Sequence, residues 1–327
     1  MKVLRLFCVL TLALLCSCKK EPAPDNGTSG KTTGSGKSKL VVGFSQIGAE
    51  SGWRTAETRS IQEEAQKRGV DLRFSDAQQK QENQIKALRN FLAQNVDAII
   101  LAPVVETGWE PVLKEIKRAN IPVILVDRGI TVSDPSLYTT LIASDFVQEG
   151  RLAGEWLVKK LNGKGNIVEL QGTPGSSPAI DRKKGFEEVI AKNVGLKVIK
   201  SQTGEFTRSK GKEVMEAFLK AEGKNINAVY AHNDEMALGA IQSIEEAGMK
   251  PGTDIVIVSI DGEKGAFEAM VAGKLNCTVE CNPLLGPAAF DAIEAVKSGR
   301  EVPKKTVVKD EVFDQSVAKD VIGSRKY

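Results

Sequence analysis

The chain has 327 residues, 41% apolar and 27% charged, and its 45 basic and 42 acidic side chains leave a net charge of only +3. This length and composition suit about two globular domains with substantial cores, and the near balance of charge argues against nucleic acid as a partner. Aromatic residues make up 5% of the chain, so a tryptophan in a polar loop stands out.

Met1 to Arg5 is a short basic stretch, and Leu6 to Leu15 is an apolar run too short to span a bilayer. The run ends in Leu15-Cys16-Ser17-Cys18, which looks like a bacterial lipobox. Cys18 fits as the lipidated residue because the small Ser17 precedes it, whereas Leu15 before Cys16 fits poorly. An ordinary signal peptide with an incidental cysteine is the competing reading. Residues 1–18 are therefore expected to be a lipoprotein signal peptide. Residues 19–38, rich in Lys, Pro, Gly, Ser and Thr, are expected to be a flexible linker. Acylation at Cys18 would tether the folded part to a membrane, stably if two or more chains are attached.

Beyond the linker, strand and helix patterns alternate. Leu40–Phe44 predicts a strand, Trp53–Arg68 an amphipathic helix closed by Gly69, Asp71–Asp76 a strand, and Gln79–Gln94 a helix. Ala98–Ala102 and Pro122–Val126 are buried strands flanking a helix over Trp109–Ala119. The pattern then restarts with strands at Thr139–Ala143, Asn166–Gln171, Lys197–Gln202, Ala228–Ala231 and Ile255–Ile260. Helices are expected at Glu149–Leu161, Ala179–Ala191, Arg208–Ala221, Glu235–Ala247 and Gly265–Ala272. Continuous apolar strands separated by helices indicate parallel sheets covered on both faces. The fold class expected is α/β, with two doubly wound lobes of about five strands each.

Polar residues follow most strand ends: Ser45-Gln46, Asp127-Arg128, Ser144-Asp145, His232-Asn233-Asp234 and Asp261-Gly262. In open α/β sheets, ligands sit beyond the carboxyl ends of the strands. The loop from Ser45 to Arg54 is the most informative, because Glu50, Trp53 and Arg54 offer a carboxylate, a stacking face and a guanidinium to a small neutral polyol. The blander reading makes Trp53 a helix-terminal packing residue and Arg54 a solvated charge. Asp127 and Arg128 place an acceptor beside a donor, which suits a polyol whose hydroxyls both donate and accept. Arg182 is expected to reach the cleft, with Asp181 as a helix-dipole partner. Asn233 matches vicinal hydroxyls, and Asp234 is an alternative helix cap. His232, the only histidine, has no evident orienting partner.

Cys277 and Cys281 lie in an alternating segment about 13 Å apart at the usual strand rise, too far for a disulfide. No metal or cofactor site is expected. Asp127 and Asp261 are the one candidate carboxylate pair for glycoside hydrolysis, but Arg and backbone donors beside them should hold both ionised.

The runs at 43–58, 78–87, 102–115, 168–173, 179–186, 206–216, 229–234 and 259–262 resemble periplasmic sugar-binding proteins of the ribose/galactose class that serve ABC transporters, over about residues 39–300. The resemblance implies two lobes joined by a three-stranded hinge, as in type I periplasmic binding proteins. The N-terminal lobe would comprise residues 39–143 plus about 281–308, and the C-terminal lobe 144–280 plus about 309–327. It carries ligand contacts over to Glu50, Ser51, Gly52, Trp53, Arg54, Asp127, Arg128, Arg182, Asn233 and Asp261. The ligand implied is a monosaccharide such as galactofuranose or a similar aldose, delivered by a monomer to an ABC permease without catalysis. A sugar sensor serving a chemoreceptor or sensor kinase is the alternative, and a glycoside-processing enzyme a third reading. The lipobox, the two cysteines and the tail after Val308 depart from the family pattern.

Overall fold

Each apolar run expected to be a strand forms one, and most feed a helix that folds back over the sheet. The computed structural model describes residues 39–327, so the expected signal peptide, Cys18 and linker lie outside the described residues. The first half runs β1 (Val41–Gln46), α1 (Gly52–Lys67), β2 (Asp71–Asp76), α2 (Gln81–Ala93), β3 (Ala98–Leu101), α3 (Glu110–Arg118), β4 (Val123–Val126) and β5 (Thr140–Ala143). The second runs α4 (Phe146–Lys160), β6 (Gly165–Gln171), α5 (Ser177–Ile190), β7 (Leu196–Thr203), α6 (Arg208–Glu222), β8 (Ala228–Ala231), α7 (Asp234–Glu246), β9 (Val256–Asp261), α8 (Lys264–Val271) and β10 (Cys277–Glu280). The chain finishes with α9 (Gly286–Lys297), β11 (Lys305–Val307), β12 (Val312–Asp314) and α10 (Gln315–Val321).

The strands form two six-stranded sheets, β2-β1-β3-β4-β5-β11 and β7-β6-β8-β9-β10-β12. All neighbours are parallel except β12, which runs antiparallel to β10. The sheets define an N-terminal and a C-terminal lobe. Each sheet has one strand more than the pattern indicated, because the tail returns to add β11 to the edge of the first and β12 to the edge of the second. Both tail strands are three residues long and largely exposed, so neither has the buried apolar run that marks the interior strands. In each sheet the order in which strands are added reverses at β1/β3 and β6/β8, which places a crevice at the carboxyl ends there.

Strand residues alternate between two cores, as a period of two requires. Ile100, Ile124 and Val126 pack with Ile61 of α1 and Phe290 of α9. Their neighbours Ile99, Leu101 and Leu125 pack with Leu88 of α2 and Leu113 of α3 on the opposite face. In the second sheet, Val168, Leu170 and Ile257 meet α6, α7 and α8, while Ile167, Tyr230 and Val258 meet α4 and α5.

The pair α4–α5 is packed to backbone contact. A Cβ on Gly150 would stand 2.1 Å from the Arg182 carbonyl oxygen, and one on Gly185 would stand 1.9 Å from that of Val147. Glycine is required at this crossing, and the crossing sets the height of Arg182. Both helices also start earlier than expected. Asp145 caps α4 through a bond from Gln148 N, and Pro178 sits in the first turn of α5. Asp181 is therefore the fifth residue of α5, beyond the first turn where a dipole partner acts best.

The chain passes between the lobes after β5, after β10 and between β11 and β12. Ser144 Oγ donates to Asp310 Oδ1 at 3.0 Å, joining the first passage to the third. Burial, with the nearby Glu149 charge, pushes the Asp310 pKa up to about 8.

Two predictions follow from this packing. Gly150→Ala should destabilise the fold by about 1–3 kcal/mol through overpacking, read by denaturant unfolding; an unchanged midpoint would contradict the helix contact. An unfolded aspartate titrates near about 3.9, so the folded protein holds the extra proton from there up to about pH 8. Stability should thus fall as pH rises through that value. Melting between pH 6 and pH 9 should show the fall, and Asp310→Asn should remove part of it.

Candidate functional site

The carboxyl ends of the two sheets enclose a cavity with about 300 Å³ of empty space. Glu50, Ser51, Trp53, Arg54, Asp127 and Arg128 line it from the N-terminal lobe, and Pro178, Arg182, Phe206, Asn233 and Asp261 from the C-terminal lobe, with Cys281 at the passage between them. Nine of the ten candidate positions meet here. Gly52 does not: it is the first residue of α1, and a Cβ there would lie 3.3 Å from Glu263 Oε1.

On the N-terminal side Ser51 caps α1, its side chain accepting from Arg54 N at 3.1 Å, and this sets the first turn. Arg54 then lies among three carboxylates. Its Nε donates to Glu50 at 3.1 Å, Nη1 bonds Glu57, and Nη2 donates to Asp127 at 2.7 Å. Burial pulls its pKa down, but Asp127, Glu57 and Glu50 outweigh that and raise it well above the usual value. It is caged by carboxylates and is not the solvated charge of the blander reading. Burial raises Glu57 to about 7 despite Arg54.

Arg128 is less well compensated. Its Nη1 donates to the Val104 carbonyl at 2.9 Å, while Glu50 and Asp127 stand 3.8 and 3.7 Å away. Burial and then repulsion from Arg54 bring its pKa down to about 10. Its Nε and the Glu50 Oε2 are buried without a hydrogen-bond partner. Glu57 Oε1 and Glu149 Oε1 are likewise without a partner, so the groups around the arginines keep one unpaired donor and three unpaired acceptors.

Trp53 is buried, with the Arg54 guanidinium 4.7 Å over its ring. Its indole Nε1 donates to the Cys281 carbonyl. It packs with the core of the C-terminal lobe and also lines the cavity.

On the C-terminal side Arg182 Nε donates to Glu149 at 2.7 Å, Nη1 to the His232 carbonyl, and Nη2 stands 3.5 Å from Asp261. Asn233 caps α7, accepting from Met236 N at 3.0 Å and donating to the Phe206 carbonyl at 3.1 Å. The cap is therefore Asn233 and not Asp234, whose carboxylate accepts from Ser259, Thr278 and the Glu263 backbone. His232 does have an orienting partner. Its Nε2 lies 3.0 Å from Glu169 Oε1, and Nδ1 accepts from Gly172 N at 3.3 Å. Burial lowers its pKa, which suits a neutral ring held beneath the cleft.

Asp261 departs from expectation. Burial raises its pKa well above the usual range, with Asp234 and Glu263 adding to this, and Arg182 is too weakly placed to hold it ionised.

Phe206 was not singled out from sequence. It stands three residues past the end of β7 at Thr203, where an apolar side chain gives none of the polar signal that marks the other strand ends. Its φ of 63° puts a bulky residue in the left-handed region. The ring lies where a Cβ on Gly172 would be, 1.9 Å from its Cζ. Arg128 and Arg182 stand 5.4 and 5.9 Å from that ring.

Similarity to known proteins agrees with this geometry. The galactofuranose-binding protein YtfQ of Escherichia coli K12 is 57% identical over 88% of this chain and 92% of that protein. The periplasmic binding protein component of the arabinose ABC transporter from Shewanella sp. ANA-3, bound to α- and β-L-arabinofuranose, is 58% identical. It superposes with a TM-score of 0.86 over 88% of this chain and 96% of its own. A Mycobacterium smegmatis protein in complex with β-D-fucofuranose is 52% identical, with a TM-score of 0.86 over 88% and 95% of the two chains. Residues 42–301 match the periplasmic binding protein domain, and with two doubly wound lobes closing on one cavity the chain belongs to the periplasmic binding protein family.

Proposed function

We propose that this protein captures one monosaccharide between its lobes, with a preference for the furanose ring of galactose, arabinose or a related aldose, and presents the closed form to an ABC sugar permease. One observation carries the reading: both sheets send polar side chains into one small cavity, where Arg128 Nε and Glu50 Oε2 are among the groups without a partner in the protein. A hydroxyl both donates and accepts, so one hydroxyl or an adjacent pair meets both. The relatives named above bind galactofuranose, arabinofuranose and fucofuranose, which supports a five-membered ring.

No turnover belongs to the proposal. The ligand contacts are Glu50, Ser51, Trp53, Arg54, Asp127, Arg128, Arg182, Asn233 and Asp261, joined by Phe206. A ligand touching both lobes favours the closed form by the difference in its affinity for the two forms. The place of work is extracytoplasmic, with a monomer tethered through lipidated Cys18 and the 19–38 linker.

Calorimetry with L-arabinose, D-galactose and D-fucose tests the sugar reading. Heats of binding are expected for at least one, and none with any of them would overturn it. Trp53→Ala should weaken binding about 30-fold or more, as loss of a buried aromatic anchor does. It should also lower the melting midpoint, since the same ring packs in the core. Incorporation of labelled fatty acid into the chain, lost in Cys18→Ala, checks the anchor; undiminished labelling of the variant would exclude Cys18.

A further inference from the structure

Beyond the cavity, one buried side chain joins the lobes directly. Glu263, in the loop between β9 and α8, is 6% exposed and is not part of the cavity lining. Its Oε1 accepts from the backbone N–H of Trp53, the second residue of α1 on the opposite lobe. The same oxygen lies against Gly52, 3.3 Å from where a Cβ would stand. The first N–H groups of a helix have no partner within it, so the C-terminal lobe is capping a helix of the N-terminal lobe.

Glu263 is itself held firmly. Its backbone N–H donates to Asp234 Oδ2 at 2.8 Å, and Asp234 Oδ1 accepts from Thr278 at 2.8 Å and from Ser259. Asp234 adjoins Asn233 of the cavity, and Trp53 is also a cavity residue. The cap thus runs between two sequence neighbours of the binding site. Other bonds across the cleft are sparse: Gly129 N to Ser177 Oγ at 2.9 Å, Glu106 N to the Gly175 carbonyl at 2.9 Å, and the exposed Arg59 to the Lys326 carbonyl at 3.1 Å.

We propose that Glu263 is a positioning residue for sugar binding: from outside the cavity its carboxyl group caps α1 across the cleft and so sets how long the closed lobes retain their ligand. This rests on the sugar-binding reading above. The cap forms only when the lobes meet, so its loss acts on the closed form and on dissociation. Burial, with Asp234 and Glu235 nearby, moves the Glu263 pKa up to about 8. Oε1 accepts whether or not Oε2 carries a proton, so a glutamine amide oxygen serves the same role.

The test uses the purified full chain with L-arabinose, or with D-galactose if L-arabinose gives no signal. Affinity comes from calorimetry, dissociation rate from stopped-flow tryptophan fluorescence, and melting is measured without sugar. Glu263→Ala should weaken binding about tenfold, almost wholly through faster dissociation, with the sugar-free midpoint shifted by no more than about 2 °C. Glu263→Gln should recover most of the loss. Binding by the alanine variant within twofold of the parent overturns the proposal, as does equal loss in both variants, or a lowered sugar-free midpoint with an unchanged dissociation rate. A parent protein that binds no sugar overturns the sugar-binding reading and this one with it. A parent that binds normally beside an unaffected alanine variant removes only the role of Glu263.

Discussion

Three arginines stand in the cleft out of water, and each has to be neutralised where it stands. Removing such a charge from water costs several kcal/mol, and only close, well-directed partners offset it. Arg54 has three carboxylates, and Arg182 has Glu149, the His232 carbonyl and a more distant Asp261. Arg128 has a single carbonyl and two carboxylates beyond hydrogen-bonding range. This inequality gives the cavity its direction. The well-paired arginines serve as fixed walls, and the poorly paired one gains most from a ligand oxygen. Much of the surrounding architecture works to place these groups: the Ser51 cap under Arg54, the glycine crossing of α4 and α5 under Arg182, and the Glu169–His232 pair behind the carbonyl that Arg182 bonds.

The same electrostatics explains why the lobes need a ligand to stay together. Arg54 and Arg128 belong to one lobe and Arg182 to the other, and each set is compensated mainly within its own lobe. Closing the cleft therefore forms few strong ion pairs. What it does form is a stack of cations around Phe206, a buried tryptophan reaching across to the Cys281 carbonyl, the Glu263 cap on Trp53 and a few other hydrogen bonds. With few links of its own, the closed form is favoured by whatever a ligand touching both lobes adds through its differential affinity.

Much of this was legible in the sequence for one physical reason. In a parallel sheet the carboxyl end of a strand faces the crevice, so the polar residues after Val126, Ala231 and Ile260 could be placed without coordinates. The loop before α1 was legible in the same way. The limits were also physical. Gly52 looked like part of the loop but is already helical, with its space taken by Glu263. Phe206 was missed because its exposure to the cavity depends on a left-handed backbone and on Gly172 making room for the ring. The tail strands β11 and β12 were missed because an exposed three-residue edge strand has no apolar signature. Asp261 looked ionised beside its donors, yet burial and neighbouring acids outweigh an arginine 3.5 Å away. Local sequence shows which groups are adjacent; it does not show how much water they have lost.

The balance of acids and bases in the cleft also bears on which ligands are refused. Glu50, Glu57, Asp127, Glu149 and Asp261 stand around the three arginines, so each arginine has at least one carboxyl group beside it. An anionic sugar, such as a uronate or a sugar phosphate, would bring charge toward groups already short of compensation. It would find no arginine with its full set of donors free. Discrimination of this kind comes from the unfavourable contact as much as from the favourable one. A neutral polyol asks only for hydrogen bonds, and Arg128 with Glu50 can supply both halves of one without adding charge. Arg54 and Arg182 are consequently poor evidence for an anion site, because their carboxylate partners already lie within the protein.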